Sequence, residues 1–395
     1  MIEVNAPYWP RQIIQGVGAS QNTAEKLKTF FGPKCVLFTD KTILKQKFIK
    51  EIIETLEKNT CNVIIYNDIF PNPTDISVKK AVEFISDVKP DFFLCIGGGS
   101  VIDLGKAVNV LYTHGGTIYD YEDLNGGVEK IKNILLPLVA IPTTSGSGSE
   151  VSTVSVITDT RRKLKMGVLS PYIIPTISVL DPITTTTLPA EIAAYTGIDA
   201  LVHCIEAYTS NINFEPGKAI ALRGAKLIFD SIKPAVSNCN NLNAKMDMLI
   251  GSACGAMAFN NNYLGAIHGC AHQLSSLADI PHGLANAIML PPILEWNIET
   301  NPTAYAQIAN VLDTDTLTLS TEEAALKCLE ILQNLIKELN IPTRLSDIGI
   351  SLDMIDGLVE NAFIDHNMIS NIRKSNNLSK CISKADIKNF YMKVF

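Results

Sequence analysis

Short apolar runs alternate with amphipathic stretches through the first half of the chain. KCVLFTD (34–40) and NVIIYND (62–68) read as strands that end in polar residues. Between them Ile49, Ile52, Ile53 and Leu56 recur at a spacing that gives a helix one buried stripe. SVKKAVEFISDV (77–88) repeats the pattern through Val78, Ala81, Val82 and Ile85. DFFLCIGGGS (91–100) is a strand running into glycines, VIDLGKAVNVLY follows as a helix, and ILLPLVAIPTT (134–144) is another strand. This rhythm predicts a largely parallel sheet covered by helices. VSVITDTRRKLKMGVL (154–169) differs: two β-rich runs flank a polar turn, which predicts a hairpin set against the sheet. ISVLDPITTTTLP is expected to end strand character for good.

From about residue 190 the apolar positions follow a helical period, in EIAAYTGIDALVHCIEAYTS, KAIALRGAKLIFDSI, AKMDMLIGSACGAMAFNN and TEEAALKCLEILQNLIKELN. The change of pattern places a boundary near 188. The expected fold class is α/β plus all-α, with an α/β domain over 1–187 and an all-helical domain over 188–395. No flexible linker separates them, so the halves are expected to pack closely.

Composition narrows the function. A chain of 395 residues, 47% hydrophobic and 18% charged, suits a well-buried globular protein. A net charge of −7 and the lack of a long Lys/Arg block argue against a nucleic-acid surface. No apolar run reaches the roughly 18 residues of a membrane span, and the start, MIEVNAPYWPRQ, lacks the layout of a signal peptide. Nine scattered cysteines with no CxxC predict reduced thiols and a cytoplasmic protein.

Two polar turns follow strands. In GGGS (97–100) the glycines allow close backbone approach, and the helix start behind them offers N–H groups and a positive dipole end to an anion such as a pyrophosphate. The pattern is not GxGxxG, and such a turn also serves as a bend with no ligand. Asp103 is expected in the first turn of the helix, where a carboxylate is favourable. PTTSGSGSE (142–150) adds hydroxyls from Thr143, Thr144, Ser145 and Ser147. Ligands of parallel sheets bind beyond the carboxyl ends of the strands, which favours a shared site. Asp40, at the end of its strand, suits either ribose hydroxyls, favouring NAD over NADP, or the N-cap of the helix KTILKQKF.

Five residues of metal-binding type crowd two segments. Asp199 and His203 are four apart in TGIDALVHCIEAY, and His268 and His272 are four apart in GAIHGCAHQLSSLADIPHGLANAIML. Each pair shares a helix face. His282 follows Pro281, with Asp279 as the expected N-cap. A lone histidine is usually a core residue, but this clustering predicts a metal site. A carboxylate with imidazoles suits Fe(II) or Zn(II) and suits Ca or Mg poorly. Spacing alone leaves open which of the five bind. Cys204 and Cys270 share neither ligand face and read as buried thiols.

GGGSVIDLGKA, IPTTSGSGSEV, TGIDALVHCIEAY and HGCAHQLSSLADIPHGLANAIMLP, in this order, resemble signatures of the iron-containing (group III) alcohol dehydrogenases, and the likeness runs over nearly the whole chain. The resemblance implies a Rossmann-like dinucleotide-binding domain and a helical domain, the dehydroquinate synthase-like fold, with the active site in the cleft. It places Asp199, His203, His268 and His282 at metal-ligand positions, and His272 at a non-ligand position near nicotinamide and substrate. It places Gly98, Gly99 and Ser100 at the pyrophosphate, Thr143, Thr144 and Ser147 in a second coenzyme loop, and Asn72 and Lys165 at further coenzyme contacts. Asp40 falls at a position associated with NAD rather than NADP. The implied reaction is hydride transfer between NAD(H) and a small primary alcohol or aldehyde at Fe(II), which Zn(II) readily replaces, with His272 relaying the proton and the chain working as a homo-oligomer.

Two departures stand out. Many relatives carry a glycine and aromatic residues where this chain has Ser275, Ser276, Leu277 and Ala278, and a frequent Asn-Pro-Arg is here Asn371-Ile372-Arg373. Two other readings use the same fold: a glycerol or diol dehydrogenase, and a dehydroquinate synthase-like lyase acting on a phosphorylated sugar acid. The lyase would need a basic cluster, yet no Lys or Arg occurs from 247 to 326. That favours a small neutral or weakly polar substrate.

Overall fold

A computed structural model describes residues 8–395 apart from 133–134, 366, 371–372, 376–377 and 381, so the departure at Asn371 and Ile372 lies outside the described residues. The chain divides into two compact units. One comprises residues 8–188 together with 239–249, the other residues 189–238 with 250–395.

The first unit runs β1 (Gln12–Gln15), α1 (Ala19–Phe31), β2 (Lys34–Phe38), α2 (Lys47–Lys58), β3 (Asn62–Tyr66), α3 (Asp75–Ile85), β4 (Phe92–Gly97), α4 (Gly99–His114), β5 (Leu138–Pro142), β6 (Val154–Asp159), β7 (Leu164–Leu169) and β8 (Ile177–Leu180). Six strands make one sheet in the order β1-β8-β5-β4-β2-β3, every pairing parallel. Strand periodicity sends alternate residues to opposite faces. Val36, Phe38, Phe93 and Cys95 join Val78, Ala81 and Ile85 of α3 and Ile102 and Leu104 of α4 in one core cluster. Cys35, Leu37, Phe92, Leu94 and Ile96 join Leu27 of α1 and Ile49, Ile52 and Leu56 of α2 in the other. Both faces are therefore apolar, which is why these strands read as unbroken hydrophobic runs.

The sequence pattern does not mark β1, whose four residues QIIQ are exposed at both ends; its pairing with β8, Gln12 opposite Ile177, completes the sheet. The expected hairpin is present, with Val154 opposite Leu169 and Asp159 opposite Leu164. It forms its own two-stranded sheet, and Thr158 bridges Thr74 just before α3.

The second unit carries α5 (Ala190–Thr209), α6 (Glu215–Ser237), α7 (Leu242–Asn262), α8 (Ala266–Ala278), α9 (His282–Ile298), α10 (Pro302–Leu312), α11 (Thr321–Glu338), α12 (Ile355–Ile364), α13 (Asn367–Ser370) and α14 (Lys384–Lys393), with the opening residues of α7 grouped with the sheet unit. Strand character does not end at 180: β9 (Arg373–Ser375) and β10 (Leu378–Lys380) form a short antiparallel pair. Three residues per strand are too few to leave a period-two signal in the sequence. Helix α5 is buried along most of its length and packs against α6 and α9, while α8 packs against α9 and α12. No helix among the described residues is long and apolar enough to cross a membrane.

Candidate metal centre and coenzyme turn

The metal-binding candidates come from three helices of the second unit. Along α5, Asp199, His203 and Glu206 stand four and three residues apart, and all three are buried. His268 and His272 lie on α8, and His282 begins α9. The start of α9 approaches α5 closely because residue 283 is glycine. A Cβ there would stand 2.2 Å from the carbonyl oxygen of Tyr195, one helical turn before Asp199. Only hydrogen fits in that gap.

This packing converges three donors. One ligand atom each from Asp199, His268 and His282 lies within 4.8 Å of the other two. Asp199 Oδ1 is 3.7 Å from His268 Nε2 and 3.6 Å from His282 Nε2. A tetrahedral cation with bonds of about 2.1 Å spaces its ligands about 3.4 Å apart, so the donor set fits a divalent transition metal. His203 Nε2 is 3.9 Å from Asp199 Oδ1, and its ring stacks on His268 with centroids 4.7 Å apart, but it lies outside the tight three-atom set.

Neighbouring groups fix the orientation of these donors. Glu206 Oε2 lies 2.6 Å from His268 Nδ1, while Glu206 Oε1 accepts from the backbone N–H of Ile267 at 2.7 Å. Glu206 thus holds a proton on Nδ1, and Nε2 is the ring nitrogen that would give up its proton to a cation. Burial opposes charge on His268, but Asp199 and Glu206 outweigh it and push the imidazole up to about 9. Burial likewise disfavours the Asp199 anion, but His203, His282 and His268 hold its carboxyl well below the usual range. His272 also lies outside the tight set. Its Nδ1 is 3.1 Å from Asp365 Oδ2, and its ring stacks on His282 with centroids 5.3 Å apart.

Three participants escaped the sequence reading. Glu206 shares the face of Asp199 at i+7, and Asn286 stands four beyond His282, so helical spacing could have suggested both. Asp365 is 93 residues from His272, and no local pattern connects them. Asp279 is corrected: it closes α8 as its C-cap with φ 54°, and Pro281 is the N-cap of α9. A left-handed residue between two helices reverses the chain and cannot begin the next one. Cys204 and Cys270 are buried as expected, and burial pushes both thiols up.

In the first unit, the two polar turns lie side by side, because β4 and β5 are neighbours with Gly97 opposite Pro142. A Cβ on Gly98 would touch the Thr144 side chain at 3.4 Å, and one on Gly99 would stand 2.7 Å from Ser147 Oγ. Gly98 is the N-cap of α4 with no side-chain cap, so the first N–H groups of α4, from Gly99 and Ser100 onward, start beside the hydroxyls of Thr144 and Ser147, and the Thr143 N–H bonds to Gly97 O at 3.0 Å. That arrangement suits a pyrophosphate. Asp103 is corrected: α4 begins at Gly99, which puts Asp103 past the first turn. It is half-buried, accepting from Ser149 Oγ and from the Val156 N–H at 3.0 Å, and so ties α4 to the second turn and to β6.

Asn72, with φ 54°, follows β3, and its Oδ1 accepts from Lys165 Nζ of β7 at 2.6 Å. The Thr74–Thr158 bridge brings these two residues together from 93 positions apart. Asp40 follows β2. Its Oδ1 accepts from the N–H of Thr42 at 2.8 Å and of Ile43 at 2.9 Å and so ties down the turn that leads into a short 3₁₀ helix (Ile43–Lys45); the N-cap of that helix is Thr42 and that of α2 is Gln46, which corrects the expected N-cap role of Asp40.

Comparison with known proteins gives the same picture across the chain. Residues 10–182 match the family described as "Iron-containing alcohol dehydrogenase", and residues 193–388 match "Fe-containing alcohol dehydrogenase family, C-terminal". The chain is 35% identical over 363 residues to "1,3-propanediol dehydrogenase" of Citrobacter freundii, covering 91% of this chain and 93% of that one. It is 34% identical over 365 residues to "Alcohol dehydrogenase 4" of Saccharomyces cerevisiae, covering 92% and 94%. Among solved structures, a 1,3-propanediol oxidoreductase aligns with a TM-score of 0.93 at 33% identity over 100% of both chains.

Proposed function

The chain belongs to the iron-containing alcohol dehydrogenase family and is a metal- and NAD(H)-dependent alcohol oxidoreductase, and on that premise we propose which of its residues do the work. Asp199, His203, His268 and His282 hold the metal. The carrying observation is the convergence of Asp199, His268 and His282 within 4.8 Å. His203, stacked on His268 and 3.9 Å from Asp199, completes the set. Gly98, Gly99 and Ser100 seat the coenzyme pyrophosphate. Thr143, Thr144 and Ser147 line the same seat, Asn72 and Lys165 act as a bonded pair of further contacts, and Asp40 meets the ribose with the oxygen that does not cap the turn.

When bound, a divalent metal supplies Lewis-acid polarisation of the alcohol or aldehyde oxygen, and NAD(H) carries the hydride. The protein supplies position and charge. Asp199 brings one carboxylate into the donor set, so a divalent cation keeps net positive charge there. Glu206 keeps His268 in the tautomer whose Nε2 faces the metal. Asp365 engages Nδ1 of His272, leaving Nε2 to exchange the proton that the alcohol releases or the aldehyde takes up. The absence of Lys and Arg from 247 to 326 favours a small neutral substrate, a primary alcohol, aldehyde or diol, over a phosphorylated acid. The eight described cysteines are free thiols, which supports work in a reducing compartment such as the cytoplasm, and the family likeness supports a homo-oligomer.

The test is metal reconstitution followed by NADH oxidation against a panel of short aldehydes, with diols assayed in the reverse direction. Turnover of at least one class is expected in the wild type, together with loss of both bound metal and turnover in His268→Ala. A variant that keeps both would overturn the ligand assignment.

A further inference from the structure

The side-chain amide of Asn286 is bonded to the metal donors themselves. Its Nδ2 donates to Asp199 Oδ1 at 2.6 Å and lies 3.2 Å from both His268 Nε2 and His282 Nε2. These are the three atoms that converge as the candidate metal donors. Glu206 holds a proton of His268 on Nδ1, so Nε2 is the ring atom that faces both the amide and the space a cation would take. Asn286 is fully buried, and its position on α9 is set by the helix, one turn after His282. Its Oδ1 is also buried and has no hydrogen-bond partner among the described residues. The amide thus spends all its bonding on the donor set and none elsewhere.

We propose that Asn286 is a positioning residue that gates the metal site, because its N–H groups and a divalent cation compete for the same donor atoms, above all for Asp199 Oδ1. An N–H aimed at a cation is repelled, so the metal binds only when the amide turns away. The turn is about χ2 of the side chain. It leaves Nδ2 where Oδ1 had no bond to lose, and it brings an oxygen, the atom type a cation attracts, to the side facing the donors. Until then the amide holds one carboxylate and two imidazoles at metal-ready spacing and offsets part of the buried charge of Asp199. Metal uptake must break these bonds, so Asn286 sets both the affinity and the rate of loading.

The inference rests on the ligand assignment above, and the experiment separates the two. The full-length protein is stripped with a chelator and reloaded with Zn(II) or Co(II). Affinity is read by chelator competition, uptake by stopped flow, and melting temperature before and after loading. Asn286→Asp keeps the shape, removes the competing donor and adds an acceptor. Its dissociation constant for Zn(II) is expected to fall by about tenfold or more, the scale of one hydrogen bond to a charged group, and the visible bands of bound Co(II) are expected to shift. Asn286→Ala removes the competitor without adding a ligand. It is expected to load faster and to show a larger rise in melting temperature on loading than the wild type, because only the stripped form loses bonds. Wild-type affinity in Asn286→Asp, or equal loss of melting temperature with and without metal in Asn286→Ala, would reduce Asn286 to a packing residue. Full Zn(II) affinity in His268→Ala would instead overturn the ligand assignment, whatever the Asn286 variants do.

Discussion

Asp40 carries two demands on one carboxylate. Oδ1 receives two backbone N–H groups of the turn after β2, and the remaining oxygen and the charge are what a ribose or a 2′-phosphate would meet. A capping side chain contributes about 1 kcal/mol, and an amide oxygen caps as well as a carboxylate. Asp40→Asn therefore keeps the turn and removes the charge. Its stability is expected to stay within about 0.5 kcal/mol of the wild type, while the preference for NAD over NADP in kcat/KM falls by about tenfold, the scale of one like-charge contact near the surface. Steady-state kinetics with both coenzymes checks this; an unchanged ratio would confine Asp40 to the turn. The two candidate roles of Asp40 could be named from the sequence, because a strand end fixes where its last side chain lies. The roles of Glu206, Asn286 and Asp365 were not, since each depends on which helix packs against which.

At the scale of elements, the candidate metal donors meet because α5, α8 and α9 pack together and bring Asp199, His268 and His282 to one place. Gly283 is a point where α9 and α5 lie too close for a side chain. In Gly283→Ala the new methyl would fall 2.2 Å from the Tyr195 carbonyl oxygen and 2.5 Å from its carbon. Both atoms belong to the backbone of α5 and cannot swing aside, so α9 must move. A loss of about 1–3 kcal/mol is expected for such overpacking, with weaker metal binding because His282 is the adjacent residue. Denaturant unfolding and zinc stoichiometry together check it. Wild-type metal content at wild-type stability would show that α9 is not pinned there. Helices α2 to α9 and α11 were readable from the sequence, as were five of the six strands of the sheet, whereas α1, α10, α12, α13 and α14 were not read. β1, β9 and β10 were missed because three or four residues leave no measurable period.

At the scale of the whole molecule, pH resistance depends on a charged cluster beside the two polar turns that follow β4 and β5. Lys106 is fully buried and donates to Ser152 O at 2.9 Å, Ser152 Oγ at 3.0 Å and Val154 O at 2.8 Å. Burial pushes this ammonium down to about 8, with Asp103 and Glu150 opposing. Burial pushes the nearby Glu150 up from 4.5 to about 7, with its own backbone N–H and Lys106 offsetting only part. A carboxyl raised on folding binds its proton more tightly in the folded state. Its contribution to stability is therefore complete below pH 4.5 and is lost as the pH rises to about 7. Glu150→Gln removes that loss. The variant is expected to match the wild type near pH 5 and to exceed it near pH 8 by up to about 3 kcal/mol. Urea unfolding at the two pH values measures the difference; a gain that does not grow with pH would remove Glu150 from this role.

The sequence by itself determined what short-range chemistry can encode. Period two and period 3.6 set most of the strands and helices, two glycine- and serine-rich turns marked a candidate coenzyme seat, and the crowding of Asp and His into two segments marked a candidate metal site without saying which of the five bind. These are relations within one element, so a few neighbouring residues carry them. The tertiary structure alone decided the strand order β1-β8-β5-β4-β2-β3, the separate hairpin sheet, and the partners that orient the donors. Glu206 reaches His268 across 62 residues, Asn286 reaches Asp199 across 87, and Asp365 reaches His272 across 93. Such pairs are set by where whole helices come to rest, and that depends on the sum of many weak apolar contacts along each buried face rather than on any local pattern.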